Sequence, residues 1–449
     1  RETAFLFEDR LKLDGSASFL RQTTKNRNPS GGFYMNSLVG LYRFPRGVDI
    51  SEYKENFEVW NPSRNLNEQN WHSDTQDFEQ NPYWVTNRIR SKDSRTRTIL
   101  SLNAGLKVTD WFKIQARGSL DYLSDKVRQM FYASTAPALS GQNGRYIEAD
   151  YQETLLYGDI IGSFEKKFGQ FSLNGVIGGS INDKLVNSLR YDSKTASLKY
   201  ANVFNVANII MDGSAYIDQQ IDAHRQLQSL FATAQVGYKD IFFLDLTARN
   251  DWSSTLPVNN NSYFYPSVSA SVLLNELIDF GAARNVVNLV KLRGSFAQVG
   301  HDTQPYRTTD YLSSSDFAGN YQIPGTMNNA NLRPEIVSSW EVGLDLRMFR
   351  NRLGVDLAYY NNTSKDLIVN MPVSSASGVT KRFANAGTIR NYGWELQING
   401  TLIKTRDVQW KAYVNWSKNR NEVVDLGEGV DSWIVASYSS HAYMTAYEG

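Results

Sequence analysis

Three carboxylates, Glu341, Asp345 and Asp356, come closest to a catalytic pattern in this chain. Two carboxyl groups that flank a glycosidic bond can act as general acid and as base or nucleophile. Arg347 and Arg352 lie close to them in sequence and could instead neutralise them. The choice between catalysis and simple charge pairing depends on the elements that carry these residues.

The other residue types that could act in catalysis, metal binding or phosphate binding form no recognisable motif. The histidines are His72, His224, His301 and His441, and no two of them have metal-ligand spacing. Cysteine is absent, which excludes thiolate nucleophiles and cysteine metal sites, and there is no G-x-x-x-x-G-K-[ST] phosphate loop. We therefore predict no catalytic, cofactor-binding or metal-binding residue.

The composition combines many aromatic residues with a polar average. The 449 residues include 47 Lys+Arg and 46 Asp+Glu, which gives a net charge of +1. This balance argues against a nucleic-acid partner, since such binders need surplus positive charge. Aromatic residues make up 13% of the chain, although the mean hydropathy is −0.44. An ordinary globular core does not explain this combination.

The dominant sequence period is two. In the clearest hairpin the apolar positions are Trp340, Val342, Leu344, Leu346 and Met348, then Leu353, Val355, Leu357 and Tyr359 after a turn at 349–352. Successive side chains of a strand point to opposite faces, so the pattern predicts one apolar and one polar face. The same alternation recurs along the chain and gives about fourteen strand candidates, many of ten or more residues, the length that crosses a bilayer at a tilt.

Very short turns alternate with long polar stretches. The predicted long loops are approximately 22–82, 126–150, 190–220, 300–336 and 364–387. Short turns on one side and long loops on the other are typical of outer-membrane barrels, in which the long loops are extracellular. A soluble β-sandwich or β-helix is the alternative, but its strands should be shorter. In a barrel the three carboxylates are charges of the polar lumen, and we predict that the protein is not an enzyme.

The aromatic residues gather near the predicted strand ends. Ten residues of tilted strand rise about 23 Å, close to the ~25 Å apolar band of such barrels. Two aromatic girdles at the membrane boundaries are therefore predicted from Trp111, Phe168, Phe171, Tyr238, Trp252, Trp340, Phe349 and Tyr360. Aromatic residues in the loops could instead stack on sugar rings, and these weaker candidates for substrate binding are Trp60, Trp71, Tyr306, Tyr311 and Tyr321.

Several segments together resemble the SusC/RagA-like family of TonB-dependent outer-membrane transporters. In chain order they are 40–47 (GLYRFPRG), 81–84 (NPYW), 249–254 (RNDWSS), 263–270 (YFYPSVSA), 291–295 (KLRGS), 299–302 (VGHD), 331–335 (NLRPE), 340–345 (WEVGLD), 385–387 (NAG) and 391–395 (NYGWE). His301 stands where the family usually has Asn. The pair of segments within 331–345 is shared by TonB-dependent receptors generally, whereas the complete set indicates the SusC/RagA-like branch.

The resemblance implies an all-β fold, an antiparallel transmembrane β-barrel of about 22 strands that encloses a plug. Residues 1–449 would form part of this barrel, without the plug domain and without the early and closing strands. The implied function is energised import of oligosaccharides or peptides across the outer membrane, as nutrient uptake without a cofactor. The implied partners are a SusD-like surface lipoprotein, TonB through the absent plug segment and outer-membrane lipid, and the assembly would be a dimer of transporter–lipoprotein pairs.

Two other functions stay open from the residues alone. A passive porin or structural barrel would have the same alternation but no plug. A secreted, soluble glycan-binding β protein would carry the loop aromatics without a membrane-facing surface.

Overall fold

The structure, a computed structural model, describes residues 2–27, 34–73, 79–194, 198–211, 215–314, 321–427, 430, 432–439 and 442–449. Antiparallel strands make up 64% of it and helices are few. The strands are β1 Glu2–Leu6, β2 Leu11–Lys25, β3 Glu58–Asn61, β4 Leu66–Gln69, β5 Ile89–Lys107, β6 Phe112–Phe131, β7 Arg145–Phe168, β8 Phe171–Asp192, β9 Tyr216–Tyr238, β10 Phe242–Ser253, β11 Ser262–Leu273, β12 Val287–His301, β13 Ser313–Ser314, β14 Tyr321–Gln322, β15 Thr326–Met327, β16 Glu335–Met348, β17 Leu353–Lys365, β18 Ile368–Pro372, β19 Lys381–Asn385, β20 Thr388–Lys404, β21 Gln409–Asp425, β22 Ser432–Ser439 and β23 Ala442–Tyr447.

Fourteen of these strands form one large antiparallel sheet, in the order β1-β2-β5-β6-β7-β8-β9-β10-β11-β12-β16-β17-β20-β21. Consecutive strands of the sheet are hydrogen-bonded neighbours, so it is a simple up-and-down meander. The sheet is open, with β1 and β21 at its two edges. The large sheet has the number of strands that the sequence predicts, about fourteen, and the nine further strands within the described ranges are short and lie outside it. The predicted all-β class is confirmed.

The tight turns all fall at one end of the sheet, and the turn at 349–352 lies where the sequence predicts it. β7 and β8 are joined through residues 169–170, and β16 and β17 through 349–352. Between β9 and β10, Lys239 and Asp240 have left-handed φ values of 53° and 56°, which lets the chain reverse immediately after Tyr238. Ile241 N–H donates to the Tyr238 carbonyl and closes this turn.

The long connections lie at the other end, and several strands reach further into them than predicted. The predicted loop at 126–150 shrinks to residues 132–144, because β6 continues to Phe131 and β7 begins at Arg145. Lys126 pairs with Asp150 and Arg128 with Glu148 in that extension. Charged residues interrupt the period-two pattern here, so the segment resembles a loop in sequence, but the backbone ladder continues regardless of polarity.

Short helices occur mainly in the first long connection. They are α1 Ser37–Arg43, α2 Ser51–Glu55, α3 Pro82–Arg88 and, between β11 and β12, α4 Leu274–Leu277. Within the described ranges, no helix has both the length and the hydropathy needed to cross a membrane.

Candidate functional site

One face of the sheet is apolar near the tight-turn end and is exposed. Leu100, Leu120 and Leu156 lie side by side in register on β5, β6 and β7. Further along the same face, Ile160 is 64% exposed and Leu230 is 60% exposed. A continuous apolar surface of this extent marks contact with a partner or a membrane.

The predicted girdle residues near the tight turns cluster as expected from their sequence positions. Lys166 Nζ lies 5.4 Å from the ring centre of Trp111 and 5.2 Å from that of Phe168. Phe171 packs against Tyr238 with a centroid distance of 4.8 Å. Phe349 lies half-exposed in the turn between β16 and β17.

At the other end of the apolar band the structure changes one assignment. Trp340 lies on the apolar face, in register with Phe296 of β12, and Trp252 lies on the same face opposite Gln228. Tyr360, in contrast, pairs with Glu341 on the polar face, and its Oη donates to Asn419 Oδ1 at 3.0 Å.

The aromatic partner of Trp340 is Tyr359, which the sequence analysis did not assign to the girdle. The Tyr359 ring lies 5.3 Å from Trp340 and 4.8 Å from Trp394, measured between centroids. The alternation of side chains along β17 decides the face. Tyr359 is two residues after the apolar Leu357 and points to the same face, whereas Tyr360 is three residues after it and points to the other face. Tyr359, and not Tyr360, therefore lies at the predicted girdle position on the apolar face.

The opposite face of the sheet is polar and densely ion-paired. Arg95 Nη2 lies 2.6 Å from Asp125 Oδ2, and the neighbouring Arg97 pairs with Asp121. Asp159, whose side chain is fully buried, accepts from Arg117 Nη2 at 2.7 Å and from Tyr157 Oη at 2.6 Å. A wall of matched charges on one face and apolar side chains on the other is the pattern of a barrel between lipid and a wet lumen.

The carboxylates Glu341, Asp345 and Asp356 belong to this polar face. Arg293 donates to Asp356 at 3.0 and 3.1 Å and to Glu341 at 3.3 Å, so it bridges the two. A Cβ at Gly343 would lie 2.6 Å from Arg293 Nε, which explains the glycine of the WEVGLD segment: it leaves room for the guanidinium. Sequence proximity pointed to Arg347 and missed Arg293.

Arg347 is the weaker partner. Its Nε lies 3.9 Å from Asp345 Oδ1, at the limit of an ion pair. The carboxylates thus hold structural charge pairs, and the described part of the chain contains no cluster of three or more metal-ligating side chains. His441 lies outside the described residues.

The described part of the first long connection, residues 34–73 and 79–88, is a folded unit. The side-chain amide of the fully buried Asn81 donates to the carbonyls of Tyr53 at 2.9 Å and Asn70 at 2.8 Å. Its Oδ1 accepts from Tyr83 N–H at 2.8 Å and so caps α3. Arg88 at the end of α3 donates two hydrogen bonds to Glu58, which raise the pKa of its guanidinium.

The two tryptophans of this connection that were predicted as substrate-binding candidates differ in their exposure to solvent. Trp71 packs against Phe44 at 5.2 Å and Tyr53 at 5.4 Å between centroids, and its side chain is partly buried. Trp60 of β3 is 55% exposed. Burial alone therefore separates two tryptophans that look equivalent in sequence.

The loop tyrosines also differ. Tyr306 Oη donates to the Asp222 carbonyl at 3.1 Å and so ties the 302–334 connection to β9. Tyr311 and Tyr321 lie exposed in the same connection. Asp302 at its start accepts from Arg225 at 2.5 and 3.0 Å and from Ser253 at 2.5 Å, an anchor that sequence reasoning missed within the VGHD segment.

Two apolar clusters hold the long connections together. One contains Tyr146, Leu198 and Ile209. The other contains Leu256, Tyr263 and the fully buried Leu332, with Ile368 and Phe383 packed against it. The second cluster joins three connections, 254–261, 302–334 and 366–387, into one surface at this end of the sheet.

Comparison with known proteins assigns this architecture. Residues 19–440 match the family model described as TonB dependent receptor-like, beta-barrel. The chain belongs to this family. The predicted outer-membrane location and the β-barrel fold class are thereby confirmed.

Individual relatives agree with this TonB-dependent receptor assignment. TonB-dependent receptor P26 of Formosa agariphila is 32% identical over 212 residues, which cover 46% of this chain and 21% of that protein. TonB-dependent receptor SusC of Bacteroides thetaiotaomicron is 25% identical over 217 residues, which cover 46% of this chain and 22% of that protein. The predicted SusC/RagA-like resemblance is confirmed.

A solved structure shows the same fold. The structure described as that of the RagAB peptide transporter superimposes with a TM-score of 0.78 and 16% identity, over 96% of this chain and 47% of that chain. The aligned region thus spans about a fifth of the two curated relatives and about half of the solved chain. In this receptor barrel the apolar face contacts lipid, and the polar face with its paired charges lines the lumen.

Proposed function

We propose that this chain forms the barrel wall of a SusC/RagA-type importer that moves oligosaccharides or peptides across the outer membrane. The observation that carries the proposal is the two-faced sheet: exposed apolar side chains on one side and ion pairs such as Arg117–Asp159 on the other. Such a wall separates lipid from a polar path. A soluble glycan-binding protein would have no use for the exposed apolar band.

The proposed importer needs parts that the open sheet does not supply. An unpaired strand edge is not stable in lipid, so β1 and β21 must be covered by further strands. We assign the plug and the TonB contact to the rest of the importer, and a SusD-like lipoprotein to the surface formed by the long connections. The dimer of transporter–lipoprotein pairs belongs to the same proposal.

The substrate-binding part of the proposal rests on the exposed loop aromatics. Trp60, Tyr311 and Tyr321 offer ring faces to solvent at the end of the sheet where the long connections lie. Aromatic faces bind sugar rings and apolar peptide side chains alike, so both substrate classes stay within the proposal. Trp71 and Tyr306 are assigned a supporting role, because their side chains pack within or tether the connections.

The test is uptake by cells that carry the full-length protein. Cells receive a panel of fluorescent oligosaccharides and peptides, with and without a protonophore, beside a strain that lacks the protein. Energised import predicts accumulation of one substrate class that depends on the protein and stops when the proton gradient collapses. Protein-dependent flux that continues without the gradient, with an open pore in planar-bilayer recordings, would instead establish a passive porin.

A loop variant tests the substrate assignment separately. Replacing Trp60, Tyr311 and Tyr321 together by alanine should weaken binding of the substrate class that the cells import. Each ring that stacks on the substrate would contribute about 1 kcal/mol to the free energy of binding. The control is Val258→Ala, a truncation at another exposed position of the long connections, which should leave binding unchanged. Unchanged binding in the triple variant would remove these residues from the substrate surface without affecting the import proposal.

A further inference from the structure

A row of cations crosses three neighbouring strands on the lipid-facing side of the sheet. Lys25 of β2 pairs in register with Lys92 of β5, and Lys92 pairs with Arg128 of β6. Lys126 lies one row closer to the apolar band and Arg21 two rows closer, on the same face. All five side chains are exposed. We call this set the outer cation patch.

The patch lies just beyond the apolar band. The last aromatic row of this region contains Phe19 and Tyr122, both in register with Thr98. Arg21 is two residues further along β2 and Lys25 is six, which corresponds to about 5 and 14 Å at the usual rise and tilt. A bilayer's headgroup layer adds about 5–8 Å on each side of its hydrocarbon core. The patch therefore begins at headgroup depth and continues above it.

The charges of the patch are only partly compensated. Arg128 donates to Glu148 at 2.8 Å, and Lys126 lies 3.6 Å from Asp150. Lys25 and Lys92 have no ion pair within the described ranges, and like charges directly opposite each other destabilise a sheet. The lumen face at similar height differs, because there Arg95 and Asp125 neutralise each other.

An anionic group outside the barrel would remove this repulsion. At headgroup depth, where Arg21 lies, the available anions are lipid phosphates, and lysine binds phosphate as a compact point charge. The backbones of Lys25 and Lys92 lie above this layer, and their long flexible stems let the ammonium groups bend back towards it. We propose that the outer cation patch binds the phosphate groups of an outer-leaflet glycolipid of the lipid A type. This inference rests on the strand register and the outer-membrane location, not on import.

The test compares lipid binding by variants of the full-length protein in detergent. The probes are diphosphorylated lipid A, the same lipid without phosphates, and inorganic phosphate. The test variant is Lys25→Gln with Lys92→Gln. The control is Lys54→Gln with Lys381→Gln, two exposed lysines in the long connections. Heat-dependent gel mobility establishes that each variant is folded.

We expect the test variant to bind diphosphorylated lipid A about 30-fold more weakly, since each lysine near an anionic surface strengthens binding about fivefold. The control variant should bind like the unsubstituted protein, and Lys25→Arg with Lys92→Arg should restore binding. Equal binding of the phosphorylated and dephosphorylated lipids would overturn the proposal. So would equal affinity of the test and control variants, or displacement of the lipid by inorganic phosphate at similar concentration.

Discussion

At the scale of single residues, Asn81 determines the order of the first long connection. Its side chain satisfies two buried carbonyls and caps α3. Asn81→Ala leaves those carbonyls without a donor, and a lost cap alone costs about 1 kcal/mol. We expect amide exchange within 37–88 to become faster in the full-length protein, measured by mass spectrometry, while the exchange of β7 and β8 stays unchanged.

Asn67→Ala is the matched control for this prediction. Asn67 is exposed in the β3–β4 hairpin and donates a single hydrogen bond to Glu58 at 3.1 Å. Its replacement should leave the exchange of the connection unchanged within error. If the two alanine variants exchange equally fast, Asn81 does not hold the connection together.

Arg293 is the second residue whose removal has a specific consequence. Arg293→Gln leaves Glu341 and Asp356 facing the same space without a cation, and we expect a loss of about 1–2 kcal/mol. Arg347→Gln removes only a contact of 3.9 Å and should cost less than about 0.5 kcal/mol. The midpoint of heat-dependent gel mobility of the full-length barrel measures both, and equal midpoints would contradict the bridging role.

For single residues, the sequence predicts which face of the sheet a side chain points to, but it does not predict which side chain it contacts. Alternation identifies the polar face that carries Glu341 and Asp356, but the cation between them comes from a strand 48 residues away. The same limit applies to Trp60 and Trp71, since only the tertiary contacts of Phe44 and Tyr53 bury one of them. Local patterns set side-chain direction, whereas partners depend on which strands become neighbours.

At the scale of elements, the sequence predicts how many strands the large sheet has, but it does not predict how long they are. β7 has 24 residues, and its first third mixes charged residues such as Glu148 and Asp150 with the buried Tyr146 and Ile147. Its ladder with β6 nevertheless runs from Arg145 to Phe164 without a register shift. The period of two disappears where charged and apolar residues share a face, as Tyr146 and Glu148 do, although the strand continues.

The close approach of two strands at Gly393 gives a prediction for the element scale. Gly393 of β20 is buried, and a Cβ there would meet the Lys418 carbonyl of β21 and would lie 2.9 Å from Tyr360 Oη. Because backbone cannot move aside cheaply, we expect Gly393→Ala to cost about 1–3 kcal/mol. The gel-mobility midpoint and amide exchange of β20 and β21 measure this.

Gly105→Ala is the control, since Gly105 also lies within a strand but a Cβ there meets nothing within 4 Å. That substitution should be neutral or slightly stabilising, by less than about 1 kcal/mol. A loss of stability equal to that of Gly393→Ala would show that glycine flexibility, rather than the steric contact, matters at both positions.

At the scale of the whole molecule, the fold predicts which end faces the cell exterior. The longest connections lie at one end of the sheet, whereas the other end has the tight turns and a single 13-residue connection, 274–286, that contains α4. In outer-membrane barrels the long loops are extracellular. In this orientation the outer cation patch, at the long-connection end, faces the outer leaflet.

The absence of cysteine from these 449 residues makes the orientation directly measurable. Val258→Cys in the 254–261 connection and Asp110→Cys in the turn between β5 and β6 both replace highly exposed side chains. On intact cells that carry the full-length protein, a membrane-impermeant maleimide should label the Val258 variant and leave the Asp110 variant at the level of the unsubstituted protein. After the outer membrane is permeabilised, both variants should react, since both side chains are accessible to solvent. Labelling of the Asp110 variant alone on intact cells would reverse the orientation, and with it the leaflet in which the outer cation patch must find its phosphates.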